Sequence, residues 1–71
     1  MTMYRKYYTL DELRNMKFRE LPNVIYNAIL KDIKKMFCGY LTKRMLAVLD
    51  KAPIMELDQY CNIYKYIKVI A

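Results

Sequence analysis

Between Pro22 and Pro53 apolar residues recur at the helical period, and the chain's only glycine, Gly39, falls between two such runs. At 100° per residue, Ile25, Tyr26, Ile29, Leu30, Ile33, Met36 and Phe37 share one side of a helix over residues 23–38. Asn23, Asn27, Lys31, Lys34 and Lys35 fall on the other side. Pro22 suits the first turn of that helix and Gly39 the left-handed residue that ends it. Thr42 then caps a second helix in which Leu41, Met45, Val48, Leu49 and Ala52 form a stripe while Lys43, Arg44, Asp50 and Lys51 occupy the rest. Pro53 breaks or restarts the chain, after which Ile54, Leu57, Tyr60, Cys61 and Tyr64 fall on one side of a further helical segment. Upstream, Thr9-Leu10-Asp11-Glu12 is a capping box: the Thr9 hydroxyl and the Glu12 carboxylate each satisfy a free backbone N–H. It predicts a short helix from 10 to about 16, with its apolar positions Leu10, Leu13 and Met16 at spacing three and residues 17–21 turning the chain.

The two ends have a different character. Residues 3–8 are rich in tyrosine, and residues 63–70 interleave Ile, Tyr, Lys and Val with no breaker. β-branched and aromatic residues favour strands, so both ends read as strands that pair with each other or across two copies. A continuation of the last helix through residues 62–71 is the competing reading, since Leu57, Cys61, Tyr64, Ile67 and Ala71 also fit a helical period. The expectation is therefore a mostly α domain with a small terminal β element, an α+β arrangement of three to four short amphipathic helices. Its predicted core is Ile25, Ile29, Ile33, Met36, Leu41, Met45, Val48, Leu49, Ile54 and Leu57. A strand over 63–70 would turn Ile63, Lys65, Ile67 and Val69 to one face and Tyr64, Tyr66, Lys68 and Ile70 to the other.

At 71 residues the chain reads as a single domain, and one so short buries only about 60% of the surface its unfolded form exposes. No staple is evident: Cys38 and Cys61 lack metal-ligand spacing, there is no histidine, and both read as free thiols in a reducing, cytoplasmic setting. Apolar runs are too short to span a membrane, which takes about 20 residues, and MTMYRKYY has no apolar leader core.

The same inventory argues against catalysis. The chain has no histidine and no serine, and a single glycine excludes a glycine-rich phosphate loop. Asp11 and Glu12 serve the capping box, and Asp50 and Glu56 read as solvated charges on helix faces. No enzymatic role and no cofactor are expected. With 13 Lys and Arg against 7 Asp and Glu, the net charge of +6 favours an acidic partner. The first reading is a small non-enzymatic protein-binding accessory or inhibitor of viral, phage or mobile-element type. Tyr4, Arg5, Lys6, Tyr64, Tyr66 and Lys68 are its candidate docking residues. The alternative is a nucleic-acid-binding regulator resembling a helix-turn-helix, using Lys31, Lys34, Lys35, Thr42, Lys43 and Arg44. Against each stands a plainer role, as the wet faces of helices or as cross-strand packing. Homodimerisation through the terminal strands is a further expectation.

Overall fold

The structure is a computed structural model and describes residues 7–70. It is mostly α with a small two-stranded parallel sheet. The order is β1 (Tyr7–Thr9), α1 (Leu10–Asn15), a 3-10 turn (Phe18–Glu20), α2 (Asn23–Met36), α3 (Lys43–Lys51), 3-10 turns at Ile54–Gln59 and Ile63–Lys65, and β2 (Lys68–Ile70). First and last segments pair as expected, in parallel, with Tyr7 opposite Lys68, Tyr8 opposite Val69 and Thr9 opposite Ile70. A parallel pair needs a long crossover, and the whole helical body supplies it.

Local chemistry sets the helix ends. Thr9 leaves β1 and at once caps α1: its hydroxyl accepts from the Glu12 N–H at 3.2 Å, and its own N–H donates to the Glu12 carboxylate at 3.0 Å. Pro22 stands one residue ahead of the first helical residue of α2, and its carbonyl accepts from the Tyr26 N–H at 2.8 Å. At the other end Gly39 is left-handed, φ 83°, but Cys38 before it is left-handed too, φ 59°. The Cys38 N–H donates to the Lys35 carbonyl and the Gly39 N–H to the Lys34 carbonyl, the bond pattern of a Schellman ending. The helix thus stops at Met36, two residues before the predicted end, and a cysteine occupies the position where a glycine is usual. The Thr42 hydroxyl caps α3 by accepting from the Met45 N–H at 3.0 Å.

After Pro53 the chain forms a 3-10 segment rather than an α-helix. Its inward residues explain why: Ile54, Leu57, Tyr60 and Ile63 recur every third position, which is the 3-10 period. The predicted strand over 63–70 is correspondingly short. The Asn62 side chain accepts from the Tyr64 N–H and opens a 3-10 turn, and only Lys68–Ile70 is extended. The turn buries Ile63 and Ile67 together while leaving Lys65 in solvent, whereas a strand would have carried Lys65 inward with them. The predicted division into an aliphatic and a tyrosine face therefore does not exist over residues 63–66. The predicted N-terminal strand over 3–8 lies outside the described residues except for Tyr7 and Tyr8.

The core joins all these segments: Tyr8, Leu13, Phe18, Leu21, Ile25, Tyr26, Ile29, Ile33, Leu49, Ile54, Leu57, Ile63 and Ile67. Phe18 stacks on Tyr26 with ring centroids 4.4 Å apart. The Tyr26 hydroxyl donates to Asp50 at 2.6 Å, which ties α2 to α3 and makes Asp50 a structural acceptor rather than a free surface charge. An antiparallel bridge at Lys17 and Pro53 fastens the two connections, with the Phe18 N–H on the Ala52 carbonyl and the Ile54 N–H on the Met16 carbonyl, both at 2.9 Å. Pro53 has no N–H to lose there, so its flanking residues make the bonds. Four predicted core residues are not buried: Met36 and Val48 are exposed, and Leu41 and Met45 are only partly covered.

Candidate functional site

Two of these departures from the predicted core, Met45 and Val48, fall in one place. α2 gives way at Phe37, the connector carries the chain through Gly39 and Tyr40, and α3 returns with Leu49 as its one fully inward residue. Leu49 leads the apolar stripe into the core, and among the described residues Val48 is left exposed and Met45 only partly covered. The result is an open groove of about 280 Å³ lined by Phe37, Arg44, Met45, Val48, Leu49 and Tyr60. Val48 keeps 66% of its surface exposed. Phe37 and Tyr60 close one wall, with ring centroids 5.9 Å apart and planes tilted by 45°. The one charged side chain in the lining is the Arg44 guanidinium.

The groove is small for a cofactor, since pockets for small organic ligands run from about 300 to 1,000 Å³. Its lining holds no carboxylate and no thiol. What it offers is apolar surface beside an exposed cation, which suits a bulky side chain from another macromolecule with a carboxylate next to it.

The residues singled out for protein docking are not brought together. Tyr4, Arg5 and Lys6 lie outside the described residues. Tyr64 is exposed on the last 3-10 turn. Lys68 projects from β2 with its ammonium 5.9 Å from the Tyr7 ring. Tyr66 turns inward, and its hydroxyl donates to Asp32 of α2 at 2.5 Å, with the Lys65 ammonium 3.7 Å from the same carboxylate oxygen. That hydrogen bond, together with burial, pushes the Tyr66 phenol up to about 12 and, with help from Lys65 and Lys35, holds the Asp32 carboxyl below its usual range. Burial, then Asp32 and Asp58, push the neighbouring Cys61 thiol up to about 11, so it stays protonated near neutrality. This cluster is a clamp between the C-terminal segment and α2.

Of the residues singled out for nucleic acid, Lys31, Lys34 and Lys35 are exposed on α2, and Lys43 and Arg44 are exposed in the first turn of α3. The Thr42 hydroxyl is already engaged as the helix cap. α2 ends at Met36 and α3 begins at Lys43, leaving six residues, 37 to 42, between them. A helix-turn-helix uses about 3 to 4. Arg44 is the one residue shared by this set and the groove. Sequence reasoning placed the other lining residues in the core or left them unassigned; the signal that could have found them is an apolar stripe on α3 wider than a short chain has elements to cover.

No family model, curated protein or solved structure matches the chain. Among the described residues, no helix is long and apolar enough to cross a membrane.

Proposed function

We propose that this chain is a non-enzymatic protein-binding accessory or inhibitor that engages its partner through the groove between Phe37, α3 and Tyr60. The observation that carries the reading is Val48: an aliphatic residue in the middle of a well-capped helix, beside half-covered Met45, exposed on a chain whose small core has every reason to recruit it. What sets Val48 apart from the other exposed apolar residues is that it borders an open apolar groove, where a partner's anchoring side chain can seat. Hot spots at such sites are shallow apolar pockets beside arginine or aromatic residues, and Arg44, Phe37 and Tyr60 supply that combination.

Duplex nucleic acid is the second reading, favoured by Lys43 and Arg44 standing exposed at the start of α3. The two readings separate cleanly. Purified from its native cells, the parent chain should bring a protein with it, and Val48→Asp should lose that protein while its circular-dichroism melt stays unchanged. Retention by Val48→Asp would remove the groove from the account. Binding to generic duplex DNA at low salt, falling steeply as salt rises and abolished by Lys43→Glu with Arg44→Glu, would establish the second reading in its place.

A further inference from the structure

Along α3, Arg44, Val48 and Lys51 stand at i, i+4 and i+7 and so share one face, the two cations bordering the edge of the apolar stripe at Val48. Val48 is the exposed apolar point, and a cation flanks it on each side, the two about 10 Å apart along the helix axis at 1.5 Å rise per residue. Both cations are exposed. The ion pair among the described residues is Lys65 with Asp32, so neither Arg44 nor Lys51 has a carboxylate within 4 Å there. Resting on the reading of the groove as a protein-docking surface, we propose that its occupant is an amphipathic helix of the partner carrying a carboxylate on each side of a bulky apolar side chain.

The charge part follows from dehydration. A partner covering Val48 also strips water from the two side chains beside it, and a cation that loses water without gaining an anion is costly. A neutral partner would leave both uncompensated. Carboxylates would engage Arg44 as a fork and Lys51 as a point charge. The helical part follows from spacing. Residues seven apart on a helix lie on nearly the same face and span the same 10 Å, with an anchor between them at the third or fourth position. An extended segment covers that distance in about three residues at 3.3 Å each, which turns the two end side chains to opposite faces. A second copy of this chain presents the same cations on a body of net charge +6 and so brings like charges together. A phosphate backbone would meet the bare Val48 between its two contacts.

The test is selection from a display library of amphipathic helical peptides on the folded chain, followed by titration of the enriched sequence as a synthetic peptide. Enriched peptides should carry Asp or Glu on both sides of Leu, Met, Phe or Trp at helical spacing. Replacing the two carboxylates by glutamine should weaken binding by about tenfold or more, since it leaves both partly dehydrated cations without an anion, and the difference should shrink as salt rises. Arg44→Glu with Lys51→Glu should reverse the preference to lysine-flanked anchors. If glutamine peptides bind as tightly as the acidic ones and Val48→Asp still abolishes both, the charge inference fails and the groove survives. If no peptide is enriched, or the enriched peptides ignore Val48→Asp, both fail. Self-association in sedimentation that Val48→Asp abolishes would assign the surface to a second copy and overturn the proposal.

Discussion

Asp32 gathers the Tyr66 hydroxyl and the Lys65 ammonium from a segment more than thirty residues away, with Lys35 adding to the positive field on the same helix. Its carboxyl titrates below the ordinary 3.8 because the charged form is the one these groups stabilise. A depressed acid contributes stability that is fully present above its unfolded value and lost as pH falls through the folded one. Acidification below pH 3.8 should therefore loosen the C-terminal segment. Asp32→Asn keeps an acceptor for Tyr66 but has nothing to titrate, so its melting temperature should fall less steeply than the parent's below pH 4. Parallel acid profiles for the two would show that this carboxylate carries no linkage. The phenol works at the opposite extreme: with Tyr66 raised from 10.0 to about 12, its contribution is present below pH 10 and fades as pH climbs toward 12.

On α3, neighbouring residues have opposite fates. Leu49 is 6% exposed and Val48 66%, although both lie on the stripe that periodicity assigns to the core. Leu49→Ala removes buried methyl groups and should cost about 2 to 5 kcal/mol, whereas Val48→Ala at an exposed position should stay within about 0.5 kcal/mol. Chemical denaturation of the two variants measures the contrast, and equal losses would mean that the helix is rotated from the phase described. Beyond Pro53 the element is again set by spacing: inward residues every third position hold the chain in 3-10 turns, which trade poorer hydrogen-bond geometry for placing Ile54, Leu57 and Ile63 in one core.

For the whole molecule, Phe18 is the residue on which most segments depend. It is fully buried between α1 and α2, stacks on Tyr26, and its N–H holds the Ala52 carbonyl across the bridge at Lys17 and Pro53. Phe18→Ala should cost about 3 to 5 kcal/mol. Small domains have only about 0.05 to 0.15 kcal/mol of stability per residue to lose, so much of this variant's population should be unfolded at room temperature, read as lost cooperativity in a thermal melt. A cooperative melt near the parent's would show that the Phe18 ring and its stack on Tyr26 are dispensable.

Periodicity and capping chemistry are local, and they carried as far as local physics reaches. The capping box at Thr9, the Thr42 cap, the break at Pro53 and the apolar stripes of α2 and α3 all follow from residues within a few positions of one another, and a mostly α chain with paired ends follows from them. Legibility stopped where the answer depends on what lies opposite. An amphipathic stripe states which side of a helix avoids water but not how many neighbours exist to cover it. By periodicity Met36 and Val48 are accordingly indistinguishable from Ile33 and Leu49, and only the tertiary structure separates the exposed pair from the buried one. The hydroxyl partners of Asp32 and Asp50, 34 and 24 residues distant in sequence, leave no periodic trace. Nor does the left-handed turn taken by Cys38 beside Gly39. At Ile63 the every-third spacing from Ile54 competes with the strand propensity of residues 63–70, and burying Ile67 while hydrating Lys65 decides for the 3-10 turn. The groove arises from the same cause: the sequence supplies its apolar side chains, and only the packing among the described residues shows which of them stay uncovered.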